Sequence, residues 1–160
     1  MTQTNTEIAG SARFFSSLLG IQKQSDDKFN FIYLIALPSG RSVLVGNPKQ
    51  REGYLQLEGT MALGPEHQAA LKKLSPTQLE SIMDEINLEM AIGKVGFGFV
   101  NGPTQAMFVS KAIPISSSLN ENSFVGYLDE MDSALLLARE AIRLAFAHNG
   151  VLNITPRPAP

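Results

Sequence analysis

The 160-residue chain contains no cysteine. That absence excludes disulfides, thiolate nucleophiles, Cys-x-x-Cys redox chemistry and cysteine-ligated zinc. Histidine is scarce. His67 and His148 have no second histidine at ligand spacing, so each is expected to serve structure or face solvent. No uninterrupted apolar stretch approaches the ~18–20 residues a spanning helix needs. The longest mostly apolar run, residues 29–37, is strand-sized and contains Asn30. The opening Met-Thr-Gln-Thr-Asn-Thr-Glu lacks the basic and apolar regions of a secretory signal. A cytoplasmic chain without membrane contact is the expectation. An excess of either charge is missing too. The 13 Lys+Arg and 15 Asp+Glu leave a net charge of -2, which offers nucleic acid no basic face.

What is present suffices for a core. Hydrophobic residues make up 44% of a length suited to one domain. Residues 7–19 carry Ile8, Ala12, Phe15 and Leu19 at helical spacing, with Phe14 and Leu18 beside them, and Gly20 is placed to cap the end. Phe29, Phe31, Tyr33, Ile35 and Leu37 alternate with Asn30, Ile32, Leu34 and Ala36. Both faces are fairly apolar, which predicts a central strand covered on each side. Strands are predicted over residues 41–45 and 54–63, joined by short connections that imply antiparallel neighbours. A short helical segment opens at Gly64-Pro65. Ser75-Pro76-Thr77-Gln78 has the residues of a capping box with proline at the first helical position. The helix it opens carries Leu79, Ile82, Met83, Ile86 and Met90, and Gly93 is expected to stop it. Strands follow at residues 94–100 and 105–115, with a turn at Asn101-Gly102-Pro103. The longest helix is predicted over residues 123–148. Its seam is Phe124, Leu128, Met131, Leu135, Ala138, Ile142 and Ala145, closed by Asn149-Gly150.

The resulting fold class is α+β, a single domain of order α-β-β-β-α-β-β-α over residues 5–150, with an antiparallel sheet packed against helices. The tail at residues 151–160 holds three prolines in its last five positions, and is expected to be extended and mobile.

No catalytic constellation emerges. Asp129 and Asp132 share a helix face with Glu130 pointing elsewhere, and two carboxylates fall short of the oxygens a hard cation wants. Gly93-Lys94-Val95-Gly96-Phe97-Gly98 alternates within a strand, and no helix N-terminus follows to take a phosphate. Its glycine face is expected to lie under a close neighbour such as a helix. No Gly-x-Ser-x-Gly elbow is present. No enzyme activity, cofactor or metal is therefore assigned. What remains is apolar surface in excess of one narrow stripe on the first helix.

The element order, with Ile86-Asn87, Gly93-Lys94-Val95-Gly96-Phe97-Gly98-Phe99, Ala112-Ile113-Pro114-Ile115 and the helix from Phe124 through Leu128 and Met131, resembles the type III secretion chaperone-like superfamily. That group includes the class I chaperones and the YbjN family. The resemblance covers roughly residues 5–149 and implies a non-enzymatic, homodimeric protein that binds an extended segment of a protein partner. It points to Phe14, Phe15 and Leu18 on the first helix, and to Phe31 and Tyr33 on the first strand, as partner-binding residues. A different expectation, from the residues alone, is a small-ligand sensor or regulatory domain with an apolar cavity between the sheet and the last helix, lined by Phe97, Phe99 and Met131.

Overall fold

The computed structural model describes residues 5–23, 27–100 and 106–151. The turn at Asn101-Gly102-Pro103 and the proline-rich tail beyond Val151 lie outside the described residues. In chain order the elements are α1 (Asn5–Leu19), β1 (Gly20–Gln22), β2 (Phe29–Ala36), β3 (Ser42–Pro48), a 3-10 turn (Lys49–Arg51), β4 (Tyr54–Ala62), α2 (Pro65–Leu71), α3 (Pro76–Ile92), β5 (Gly96–Val100), β6 (Ala106–Pro114) and α4 (Glu121–His148). The α+β order expected from sequence is found, with the three-residue β1 as an unforeseen addition.

The strands form one antiparallel sheet of six, ordered β1-β2-β3-β4-β6-β5. Residues directly opposite each other share a face. The register therefore groups Tyr33 with Val45 and Leu57, and Leu55, Gly59 and Met61 with Ile113, Val109 and Met107. This is the inner face. Phe31, Tyr33, Ile35, Val43, Val45, Leu55, Leu57, Met107, Val109 and Ile113 are all buried on it. The other face carries Ile32, Leu34, Leu44, Gln56, Glu58 and Phe108, all only half-buried. The expectation that β2 is central and covered on both sides is thereby corrected. β2 lies one strand from the sheet edge, and its apolar outer residues remain partly open.

α4 covers the inner face. Every residue of its predicted seam is buried, from Phe124 and Met131 to Ala138 and Ala145. The seam meets the sheet where Leu135 lies over Gly59. A Cβ added at Gly59 would sit 2.7 Å from the Leu135 methyl carbons. α3 packs along α4 with Ile82, Ile86 and Met90 inward. Its start is the predicted capping box, with both reciprocal bonds between Ser75 and Gln78 present. α4 has the same device at Asn120 and Ser123. The β3–β4 connection is fastened from inside by buried Asn47. Its Nδ2 donates to the carbonyls of Glu52 and Tyr54 at 2.9 and 2.8 Å, and its Oδ1 accepts from Asn30 at 2.8 Å.

Two glycine expectations change, and a third is met through a different backbone position, since Gly93 caps α3 as expected. Gly20 is not a left-handed cap. It enters β1 directly, and a side chain there would strike the Leu34 carbonyl and Ile35 at 2.8 Å, so its smallness lets the chain approach β2. The glycine face of β5 lies under cross-strand side chains rather than a helix: Gly96 beside Ser110, and Gly98 under the Phe108 ring. Finally, Gly93 keeps a helical φ of -74°, and Lys94 takes the left-handed position at φ 55°. Lys94 N–H donates to the Ala91 carbonyl and Val95 N–H to that of Met90, a complete Schellman motif. α4 ends in the same motif. There Gly150 at φ 66° occupies the left-handed position, and Val151 N–H bonds the Phe146 carbonyl.

Two predictions follow from these contacts. Gly59→Ala should cost about 1–3 kcal/mol by overpacking the core against the buried Leu135 side chain. Combined with Leu135→Ala the penalty should nearly vanish, read as non-additivity in urea unfolding. Lys94→Gly should raise stability by about 1 kcal/mol, because the left-handed backbone strains any residue carrying a Cβ, and thermal melts will show it.

Candidate protein-docking surface

α1 has an inverted distribution of size. Its inward residues Ala12 and Ser16 are small and fully buried, and the Ser16 hydroxyl folds back on the Ala12 carbonyl at 2.8 Å. Large residues point out instead: Phe14 is 58% exposed and Leu18 62%. The two are one turn apart on one face. Leu19 is also exposed, and the chain continues through Gly20 to Ile21, which is 74% exposed on β1.

Ile21 opposes Leu34, and Leu34 opposes Leu44, so the apolar surface passes from β1 onto the outer face of β2 and β3. Phe29 joins it by laying its ring over Gly46, where an added Cβ would approach to 2.7 Å. At β4 the character changes. Leu44 opposes Glu58 and Gly46 opposes Gln56, which bounds the apolar zone with polar side chains. Among the described residues β1 pairs only with β2 and forms the sheet's edge. An edge strand offers unpaired backbone groups to another chain.

The five residues singled out from sequence do not form one surface. Phe14 and Leu18 face solvent. Phe15 is half-buried, stacking between Phe14 and the buried Phe124 with both ring centroids at 6.0 Å. Phe31 and Tyr33 are 4% and 5% exposed and pack together on the inner face, 6.0 Å between ring centroids. The outward residues of β2 are Ile32 and Leu34. Period-two alternation identified both sets, but nothing local in the sequence says which set the helices cover. Of the three residues expected to line an apolar cavity, Met131 is fully buried. Phe97 and Phe99 meet edge to face at 6.4 Å.

The polar groups are distributed rather than convergent. No group of three or more His, Asp or Glu side chains that could hold a metal comes together among the described residues. Asp132 accepts from Arg41 at 3.1 Å and from the Ser39 hydroxyl at 2.6 Å. Glu130 pairs with Lys111. His148 Nδ1 meets Glu85 at 2.6 Å, tying α4 to α3. His67 lies on the Phe146 ring at 5.5 Å, far along the chain from His148. Among the described residues no helix is long and apolar enough to cross a membrane.

A one-sided antiparallel sheet with the long closing helix on its inner face defines the fold as α+β. A family model described as an uncharacterized conserved protein, DUF2299, matches residues 15–141. The chain belongs to that family. It is similar to the crystal structure of an uncharacterized protein from Methanothermobacter thermautotrophicus, with TM-score 0.67, 16% identity, and coverage of 89% of this chain and 99% of that one. It is also similar to the structure of the ExsC–ExsE complex, with TM-score 0.50, 18% identity, and coverage of 87% and 96%. The HopA1–SchA chaperone–effector complex gives 0.49 at 18% identity, covering 87% and 95%. At these identities the likeness is one of fold. No curated protein matches the chain.

The split of the five residues is measurable. Phe31→Ala should cost about 3–5 kcal/mol, as for a core phenylalanine. Phe14→Ala should stay within about 0.5 kcal/mol of the parent. Chemical denaturation of the two variants side by side checks both.

Proposed function

We propose that the protein is a non-enzymatic binding module, chaperone- or adaptor-like, that takes an extended segment of a protein partner on the surface running from Phe14 and Leu18 across Ile21 to Leu34 and Leu44. The observation that carries this is the exposure of Phe14 and Leu18 one turn apart on α1, while Ala12 and Ser16 are buried and Phe15 packs partly against the core. Full burial of a large apolar side chain contributes on the order of 1.5–3 kcal/mol. Folding leaves that gain unclaimed at Phe14, Leu18 and Ile21, and a partner covering them would collect it. The edge of β1 adds backbone hydrogen bonds if the segment docks as a strand. The ExsC–ExsE structure, a complex on a similar fold, supports this reading. It extends to a homodimer acting in the cytoplasm, for which Leu88 and Ile92 provide a separate apolar pair, 67% and 72% exposed and one turn apart on α3.

Photo-crosslinking tests the docking surface. A crosslinker at Leu18 or Ile21 should join a partner protein that one at Lys72, on a polar part of the surface, does not. Phe14→Ser with Leu18→Ser should abolish the adduct formed from Ile21 while leaving the melting temperature unchanged. Equal crosslinking from Leu18 and Lys72, or an adduct indifferent to the double substitution, would overturn the reading.

A further inference from the structure

A cleft of about 450 Å³ lies between the end of β4, the start of α2 and the C-terminal half of α4. Three of the chain's six arginines, Arg41, Arg139 and Arg143, line it with a single carboxylate, Glu140. Asp132 and Glu140 pair with Arg41 and Arg143, which leaves Arg139 as the cation of the cleft without a partner among the described residues.

The arginines differ in how they are held. Arg41 Nη1 donates to Asp132 at 3.1 Å, and Arg143 Nε to Glu140 at 2.8 Å. A guanidinium has five N–H donors, so each keeps donors free while its plane is fixed. Arg139 is exposed and has no hydrogen bond or ion pair among the described residues. His67 lines the same cleft. Its Nδ1 is sealed from solvent without a hydrogen bond, since the Glu66 carboxylate at 3.5 Å is outside bonding geometry. Met61 and Ile142 supply apolar wall.

We propose that this cleft binds a small organic anion, headed by a carboxylate or phosphate and carrying a short apolar body. The head engages Arg139 in the cleft that the two fixed guanidiniums also line, and guanidiniums suit a planar or tetrahedral oxyanion through paired N–H donors. The body lies against Met61 and Ile142. The volume is within the range of about 300–1,000 Å³ typical of small-molecule sites. The site shares no residue with the proposed protein-docking surface.

Isothermal titration of the full chain at low salt, with benzoate, phenyl phosphate and inorganic phosphate as probes, tests this. Benzoate or phenyl phosphate should bind one to one, and whichever binds tighter identifies the head group. Inorganic phosphate, lacking a body, should bind more weakly than phenyl phosphate. Arg139→Gln should weaken binding by about tenfold or more, whereas Lys49→Gln, which removes a distant charge, should not. The unliganded Arg139→Gln protein should melt no lower than the parent, because a repelling charge has gone. Absence of binding by all three probes would overturn the proposal, as would equal binding by the parent and Arg139→Gln. Binding of an acidic peptide without any response to the small anions would also overturn it.

Discussion

The seam of α4 settles on the sheet at Leu135, whose branched end occupies the space that Gly59 leaves. That contact fixes which side of the sheet is inside. Alanines at 134, 138, 141 and 145 are all buried in the same helix, so α4 approaches its neighbours closely along its length. α3 then lies beside α4, and Phe15 of α1 reaches Phe124 at the opposite end. With the inner face covered in this way, no further long helix among the described residues lies on the outer one. The half-open outer face of β2 and β3 is thus a consequence of packing on α4.

An open sheet face is stable only if its residues tolerate water. The outer face meets this unevenly. Gln56, Glu58 and Thr60 do so on β4, whereas Ile21, Ile32, Leu34 and Leu44 concentrate apolar atoms toward the β1 edge. Scattered exposed apolar residues are ordinary, but a contiguous patch bounded by polar side chains marks an interaction surface. The arginine cleft is separated from that patch by the same architecture, since it is built from the far end of β4, from α2 and from the last turns of α4.

Sequence pattern revealed the elements whose signal is local. The α4 seam, the Ser75–Gln78 box and the alternation in β4 are each complete within a few turns or residues, and each was found where expected. Signals that depend on distant partners were not legible. The pairing of β4 with β6 rather than with β5 has no local mark. Neither does the choice of inner face for β2, where both alternating sets are apolar. Glycine misled for a related reason. Gly20 has the place of a helix cap after Leu19, yet its smallness serves the approach to β2. Gly93 does cap α3, with Lys94 in the left-handed position. At α4, with the same hydrogen bonds, Gly150 took it. The arginine cleft was invisible because Arg41, His67 and Arg139 come from three different elements. No spacing rule links them.

α1 is where folding and binding are easiest to separate. A helix held in place by its own burial puts its large apolar residues inward, and α4 does this with Phe124, Met131 and Leu135. α1 puts Ala12 and Ser16 there. Together with Gly20 they let the helix and β1 come close to β2, and Phe15 supplies the large apolar contact that holds the helix, against Phe124. Exchanging the inward and outward sets would bury more surface and leave less exposed. Stability alone therefore does not account for Phe14 and Leu18 at outward positions. Their placement is explained if the thin inward side serves to seat the helix close to the edge strand, leaving its large residues free for a partner.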